Sequence, residues 1–598
     1  MRSLLYLNKY LFKYRIRLIA GLLFVILYAW FKVYSLPYVG RGIDYAVKIV
    51  INNTPGSANN PVPADVVLQR LGYYVLVILG MTLISGIFLF LTRQTIIVTS
   101  RLIEYDLKNE VFEHYQKLDT AFYRRNNTGD LMNRISEDVS RVRMYLGPAI
   151  MYTTNTVSLI TFTLLVMLQT NIKLTLWVLA PMPLLYFSIY YISSLINKKS
   201  TNVQKQLSIL FSKAQETFSG IRVIKSYRLE KMLVEEYDKE CETYKERNMN
   251  LAKVDSLFQP AMFVLVGLST IIVLYVGGRD ILKGSLTIGE IATYMLYVSN
   301  LTMPIASLGW ITSLTQRAAA SQTRINEFMN TKPSISSPIS EEVNIIGDIE
   351  FDHVTFVYPD SGIRALDDVS FSIKHEQSLG IVGKTGSGKS TITQLICRMY
   401  DVTGGAIKID GKDVRELPLS SLRRQIGYVP QEVFLFSDTI ANNVSFSVTE
   451  KAIDRDKIKE RVEKASKDAA IYDNIMEFSE GFETMVGERG ITLSGGQKQR
   501  ISIARAMLKA PNIIMFDECL SAVDTNTEQE ILLNIHRLML GRTTVIVSHR
   551  ISSVKMCDNI LVLDRGRVIE YGTHDQLIKQ KGHYYEMYEM QLTEEIVG

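Results

Sequence analysis

Cysteine is scarce in this chain: Cys241, Cys397, Cys519 and Cys557 lie far apart without CxxC spacing, so neither a disulfide framework nor a zinc site is indicated and reduced thiols are expected. An excess of one charge is also missing. The 66 basic residues stand against 61 acidic ones, a formal +5 that is too nearly balanced for nucleic-acid binding to be the main task. No internal repeat or low-complexity tract is present. The apolar run after Lys9, Lys13, Arg15 and Arg17 lacks a small-residue cleavage site and is too long for a removable signal peptide, so it reads as a first membrane helix.

What is abundant is apolar character, unevenly placed. Hydrophobic residues make up 47% of the 598 and charged residues 21%, with the apolar part concentrated towards the N-terminus, so at least two folding units are expected, one of them in a membrane. A bilayer core takes about 20 apolar residues per helix. Six segments offer them: 16–40, 68–92, 147–169, 172–195, 257–278 and 287–312. Basic residues precede the first segment and fill the long loops after the second and fourth, whereas the 170–173 and 279–286 turns are short, which assigns the N-terminus and the long loops to the cytoplasm. The turn-rich stretch 43–67 then lies outside the cell.

The long loops, about 93–146 and 196–256, keep helical apolar periodicity with mixed charge, so the membrane helices are expected to continue beyond the bilayer. One break is expected in each, at Arg125 to Asp130 and at Ser219-Gly220, with a short transverse helix there. Residues 1–330 thus form a membrane domain, and 331–340, with Pro333, Ser334, Ser336, Ser337 and Pro338, a linker. In 341–598 short β-rich runs alternate with helices, an α/β domain.

Gly383-Lys384-Thr385-Gly386-Ser387-Gly388-Lys389-Ser390 fits the pattern GxxxxGK[ST] between a strand-like run, 378–382, and a helical one from Thr391. Glycines let backbone N–H groups close around phosphate oxygens, the helix N-terminus adds a favourable dipole, Lys389 neutralises β/γ charge and Ser390 can ligate Mg²⁺. The apolar run 513–516 ends in Asp517-Glu518, as expected for a buried parallel strand whose carboxyl end faces a ligand. Asp517 suits Mg²⁺ held through water, and Glu518 a general base on the attacking water.

Between these two phosphate motifs stands Leu493-Ser494-Gly495-Gly496-Gln497, which resembles the signature sequence of ATP-binding-cassette (ABC) proteins. With its six apolar segments and long loops, the whole chain resembles a half-transporter of the multidrug or lipid exporter type. The fold implied is a helical membrane domain, six long helices with cytosolic extensions, followed by an α/β P-loop ABC ATPase domain with a helical subdomain. The resemblance implies that Tyr358 is the aromatic platform for adenine, that Thr391 joins the phosphate loop in the nucleotide site, and that Gln431 senses Mg²⁺ and water. It makes His549 the γ-phosphate switch and Asp524, in Ser521-Ala522-Val523-Asp524, a residue crossing a dimer contact. Gly487-Glu488-Arg489-Gly490 resembles a loop that meets the cytosolic excursions in exporters. Cys519-Leu520 departs from the family, which often has Ala-Thr after the glutamate.

The resemblance further implies ATP and Mg²⁺ as cofactors and a second half-transporter as partner, because Gly-Lys-Ser of one cassette and Ser494, Gly495, Gly496 and Gln497 of another enclose each nucleotide. Lys389, Glu518 and the Ser494 loop all fit the family pattern, which favours a homodimer over a heterodimer. The implied activity is ATP-driven export or flipping of a hydrophobic or amphipathic cargo, small molecule, lipid or peptide, by alternating access across a cell (inner) membrane. The ATPase would lie in the cytoplasm. Alternative readings are a cassette-gated channel or regulator without transport, and an exporter-like importer.

Overall fold

The computed structural model describes residues 2–52, 63–337, 341–448, 455–487, 490, 493–519, 532–533, 535–537 and 539–597. It divides into two compact units, Met1–Tyr115 with Gly129–Thr331, and Gln116–Thr128 with Lys332–Gly598.

Helices make up the first unit, among the described residues. Each apolar segment of the sequence falls in helix, carried by Arg15–Tyr34 and Leu36–Asn52, Ala64–Thr92, Ile150–Thr170, Ile172–Leu179 with Met182–Ser219, Phe258–Leu282, and Ile288–Met329. Four helical stretches among the described residues are long and apolar enough to cross a membrane: Arg15–Asn52, Ala64–Lys117, Thr128–Thr170 and Glu230–Leu282. Leu76, Leu83 and Ile87, on Ala64–Thr92, are 57–70% exposed. Such side chains on a helix are stable where hydrocarbon rather than water covers them.

Inside the unit several buried polar groups are paired across helices. The Tyr294 hydroxyl donates to the Met167 carbonyl at 2.7 Å, and Asp138, 2% exposed, accepts from the Ser321 hydroxyl at 2.8 Å and from Arg324 Nε at 3.0 Å.

Two expectations need correction. The stretch expected to be turn-rich from residue 43 is helical to Asn52, because Ile43, Val47, Val50 and Ile51 continue one apolar face, while the turn formers cluster in 53–62, outside the described residues. Each long excursion breaks twice rather than once. The first breaks at Leu118-Asp119 and Asn126-Asn127, bracketing a helix Thr120–Arg125, and the second at Gly220 and Arg228-Leu229, bracketing Ile221–Tyr227. The extra breaks have local causes: the Asp119 carboxylate caps the first short helix by accepting from the Phe122 amide, and Arg228 closes the second in the left-handed region at φ +54°.

Among the described residues the second unit holds two sheets. Four antiparallel strands pair in the order Arg364–Ile373, Ile349–Val357, Gly404–Ile409, Lys412–Asp413. Six pair in the order Arg567–Gly572, Asn559–Asp564, Ser378–Gly383, Thr543–Val547, Ile513–Asp517, Ile426–Val429, all parallel except the first pair.

Ser378–Gly383, Ile513–Asp517 and Thr543–Val547 are buried along their whole length, as strands covered on both faces must be, so their apolar runs alternate between two cores. Val382, Ile514, Phe516 and Ile546 face one core, shared with Val462, Ala465, Ile475 and Ile501 of the helices Arg455–Asp468, Tyr472–Met476 and Gly495–Met507. Ile381, Ile513, Met515 and Val545 face the other, together with Phe351, Phe371 and Ile392. The register that sets Ile381 and Asp517 on either side of Val547 brings the carboxyl ends of three strands side by side. Ligands bind at such ends in open parallel sheets.

Candidate functional site

The loop after Ser378–Gly383 is shaped by glycine. Gly383 and Gly388 have φ +155° and +103°, and a Cβ at either would meet the Leu563 carbonyl at 2.2 Å or the Ala365 carbonyl at 2.4 Å. At Gly386, φ +80°, a Cβ would meet nothing within 4 Å, so there glycine answers the backbone alone. The loop ends at helix Lys389–Ile396, with Gly388 before its first turn. Ser387 Oγ, next to Gly383, is buried with no hydrogen-bond partner.

Lys389 is 4% exposed. Its Nζ donates to the Gly383 carbonyl at 3.0 Å and the Lys384 carbonyl at 3.2 Å, and lies 3.1 Å from His549 Nε2 and 3.7 Å from Glu518 Oε1. Burial pulls its pKa below the ordinary lysine value, and the charge of Glu518 opposes that pull.

Glu518 follows the strand at φ +48°, its amide donating to the Val547 carbonyl at 2.9 Å, a left-handed conformation that the flanking strands hold in place. Its carboxylate accepts from Gln431 Nε2 at 2.6 Å and lies 2.7 Å from His549 Nε2. Next to it Asp517, buried, accepts from the Ser390 hydroxyl at 2.8 Å, the Thr393 hydroxyl at 3.2 Å and the Tyr428 hydroxyl at 3.2 Å. Burial raises the Asp517 pKa and these three hydroxyls oppose the rise. Cys519 is buried and its thiol is pushed up to about 12, so beside Glu518 it stays a neutral, apolar group.

Tyr358 stands just beyond strand Ile349–Val357. Its hydroxyl lies 3.0 Å from the Thr391 hydroxyl, and its ring meets Phe356 and Tyr400 edge-on at centroid distances of 4.9 and 5.5 Å. The structure therefore gathers Lys389, Gln431, Glu518 and His549 in one cluster, sets Ser390 against Asp517, and ties Tyr358 to Thr391. It does not bring Ser494, Gly495, Gly496 and Gln497 to that cluster: Ser494 Oγ accepts from the Gln497 amide at 3.3 Å and the Gln497 side chain accepts from the Ser494 amide at 2.9 Å, closing a capping box on their own helix. Asp524, Leu520, Glu488 and Arg489 lie outside the described residues.

Thr393 and Tyr428 were not foreseen. Thr393 shares the helix face of Lys389 and Ser390 at helical spacing, a signal present in the sequence. Tyr428 is brought to Asp517 only by the pairing of Ile426–Val429 with Ile513–Asp517. For Mg²⁺, the adjoining Ser390 hydroxyl and Asp517 carboxylate are hard oxygen donors, of the kind that binds this ion with one or two carboxylates and leaves the other positions to water and phosphate, whereas the Gln431 amide is engaged with Glu518.

The family model for the ABC transporter transmembrane region matches residues 18–305, and that for the ABC transporter matches 366–521. The chain is 36% identical to the probable multidrug resistance ABC transporter ATP-binding/permease protein YheI of Bacillus subtilis, over 86% of this chain and 88% of that one. It is 31% identical to the ATP-dependent lipid A-core flippase of Shewanella denitrificans, over 95% and 93%. A solved bacterial Atm1-family ABC exporter with ATP bound is similar at a TM-score of 0.76 and 26% identity, covering 96% of this chain and 98% of that one.

Proposed function

Because this chain belongs to the ABC transporter family, with the membrane region and the ATPase region fused in one polypeptide, we propose that it is half of an exporter that moves a hydrophobic or amphipathic cargo outwards by alternating access. It is a multi-pass membrane protein that hydrolyses ATP and couples hydrolysis to transport. Two relatives bear the names of a multidrug transporter and a lipid A-core flippase, which supports a lipid-like or drug-like cargo.

The observation that carries the catalytic reading is the set of contacts on Glu518. A buried carboxylate at the end of a central strand is touched by an amide, an imidazole and, at 3.7 Å, an ammonium group. In the reaction Lys389 neutralises the γ-phosphate, Glu518 exchanges Gln431 and His549 for the attacking water and takes its proton, and His549 turns its nitrogen to a γ-phosphate oxygen. Ser390, Asp517 and Gln431 would hold Mg²⁺, which would supply positive charge to the phosphates when bound.

The Ser494 turn, satisfied by its own helix and apart from the cluster, serves the nucleotide of a second copy. Two copies then make two complete sites, and the intact motifs favour a homodimer over a heterodimer. ATP holds the two ATPase surfaces together and hydrolysis releases them. The distribution of Lys and Arg supports a cytoplasmic ATPase and N-terminus, in the cell (inner) membrane.

Purified protein in liposomes, given ATP and a panel of fluorescent lipids, dyes and amphipathic peptides, tests the reading. Vectorial, ATP-dependent movement of at least one class is expected. Hydrolysis with no cargo movement but with ATP-gated ion conductance would assign the chain to the channel class instead.

A further inference from the structure

Arg124 lies far from the phosphate cluster in sequence, on the short helix Thr120–Arg125, and yet belongs to the same compact unit as the ATPase residues. Its guanidinium sits over the ring of Tyr358, 5.2 Å from the centroid, and over that of Tyr400 at 5.8 Å. Among the described residues no carboxylate forms an ion pair with it, so its charge is spent on the two aromatic faces. The helix is seated by other groups. Asp119 accepts from the Ser334 amide at 2.8 Å and also from the Ser334 hydroxyl, Ala121 is buried in the core with Phe356 and Tyr400, and the Thr120 hydroxyl lies 3.7 Å from Met399 Sδ. Arg124 can therefore swing away without unseating the helix.

Tyr358 itself cannot move aside easily, since its hydroxyl is bound to Thr391 and its ring wedged against Phe356 and Tyr400. A guanidinium is planar, delocalised and weakly hydrated, and it covers an aromatic face much as a purine does.

We propose that Arg124 is a placeholder for the nucleotide base: it occupies the face of Tyr358 that adenine takes, and ATP binding displaces it. The inference rests on the reading of Tyr358 as the adenine platform. Arg124 is thus a positioning residue that competes with the base, and its release reports base occupancy to the helix that carries it. That helix runs through Asn126-Asn127 into Thr128–Asn133 and is joined at its other end to Val98–Lys117, so the displaced side chain belongs to the excursion and not to the nucleotide loops.

The test is equilibrium binding to the full-length protein with Mg²⁺ withheld to stop turnover, using ATP and inorganic tripolyphosphate. Removing a competitor worth one exposed cation–π contact makes Arg124→Ala bind ATP about two- to fivefold tighter. Tripolyphosphate, which has no base, binds to both proteins equally, and this arm also verifies that the variant is folded. Arg124→Lys falls between, and on a Tyr358→Ala background the gain disappears, a coupling that a merely structural role does not produce. Unchanged or weaker ATP binding by Arg124→Ala, or an equal gain for tripolyphosphate, overturns the proposal while leaving the functional reading intact. A wild-type protein that binds neither ligand overturns both.

Discussion

Replacing Glu518 by Gln keeps the shape of the side chain and removes its charge and its capacity to take a proton. In the structure that carboxylate accepts from Gln431 at 2.6 Å, lies 2.7 Å from His549 and 3.7 Å from Lys389, so the amide can keep its place among the same neighbours. What it cannot do is accept the proton of an attacking water. A positioned base contributes about 10²- to 10⁴-fold, or about 2.7–5.5 kcal/mol of barrier at 1.36 kcal/mol per tenfold. ATP binding is expected to survive. Lys389 loses the anion that opposes its burial, but the bound phosphates supply a stronger one. The measurement is phosphate release by the purified variant in liposomes at saturating ATP and Mg²⁺, with ATP binding followed in parallel. The expected pattern is a fall in kcat of that size with KM little changed, the sign of an interaction made only in the transition state. Turnover within about threefold of wild type would refute the role of Glu518 as the base, and loss of binding together with turnover would place its contribution in holding Gln431 and His549 instead.

Gly388→Ala sets a Cβ 2.4 Å from the Ala365 carbonyl on a residue at φ +103°, so the phosphate loop must shift, and loss of ATP binding is expected in a protein that still carries its membrane helices. Asp138→Ala removes the acceptor for Ser321 and Arg324; because Arg324 is half-exposed the cost is about 1–3 kcal/mol, read as a lower thermal unfolding temperature of the purified protein. At Asp119 burial pushes the pKa up but the hydrogen bonds from Ser334 and Phe122 outweigh it and hold the carboxyl below its ordinary value. Its contribution to seating the Thr120–Arg125 helix is therefore complete above the unfolded carboxylate value of about 4 and lost as pH falls through the lower folded value. Limited proteolysis within 116–128 should rise on acidification in the wild type, and Asp119→Asn should be cut at the same rate at both pH values.

Much of the site was legible in the sequence because its parts are contiguous. The glycines, Lys389 and Ser390 belong to one loop and one helix turn, and Asp517-Glu518 to the end of one apolar strand, so spacing alone groups them. The apolar segments were legible as helices for the same reason, since an apolar run is a property of consecutive residues, and four of the resulting stretches are long and apolar enough to cross a membrane among the described residues. The second break in each excursion was missed because it depends on a cap or a single left-handed residue, which the apolar pattern does not carry, and the helix as far as Asn52 was missed because the turn formers beyond it outweighed the apolar face it continues.

Read alone, the amino-acid order determined where the apolar helices lie, which strand feeds the phosphate loop and which acids end the neighbouring strand, because each is a local pattern of side-chain type and period. The tertiary structure decided who meets whom. Gln431 reaches Glu518 across 87 residues, and Tyr428 and Thr393 converge on Asp517. Arg124 lies on Tyr358 from the middle of the first excursion. Those meetings follow from the order in which the six strands pair and from the seating of one short helix. Both are settled by packing between segments distant in the chain, which no local period encodes.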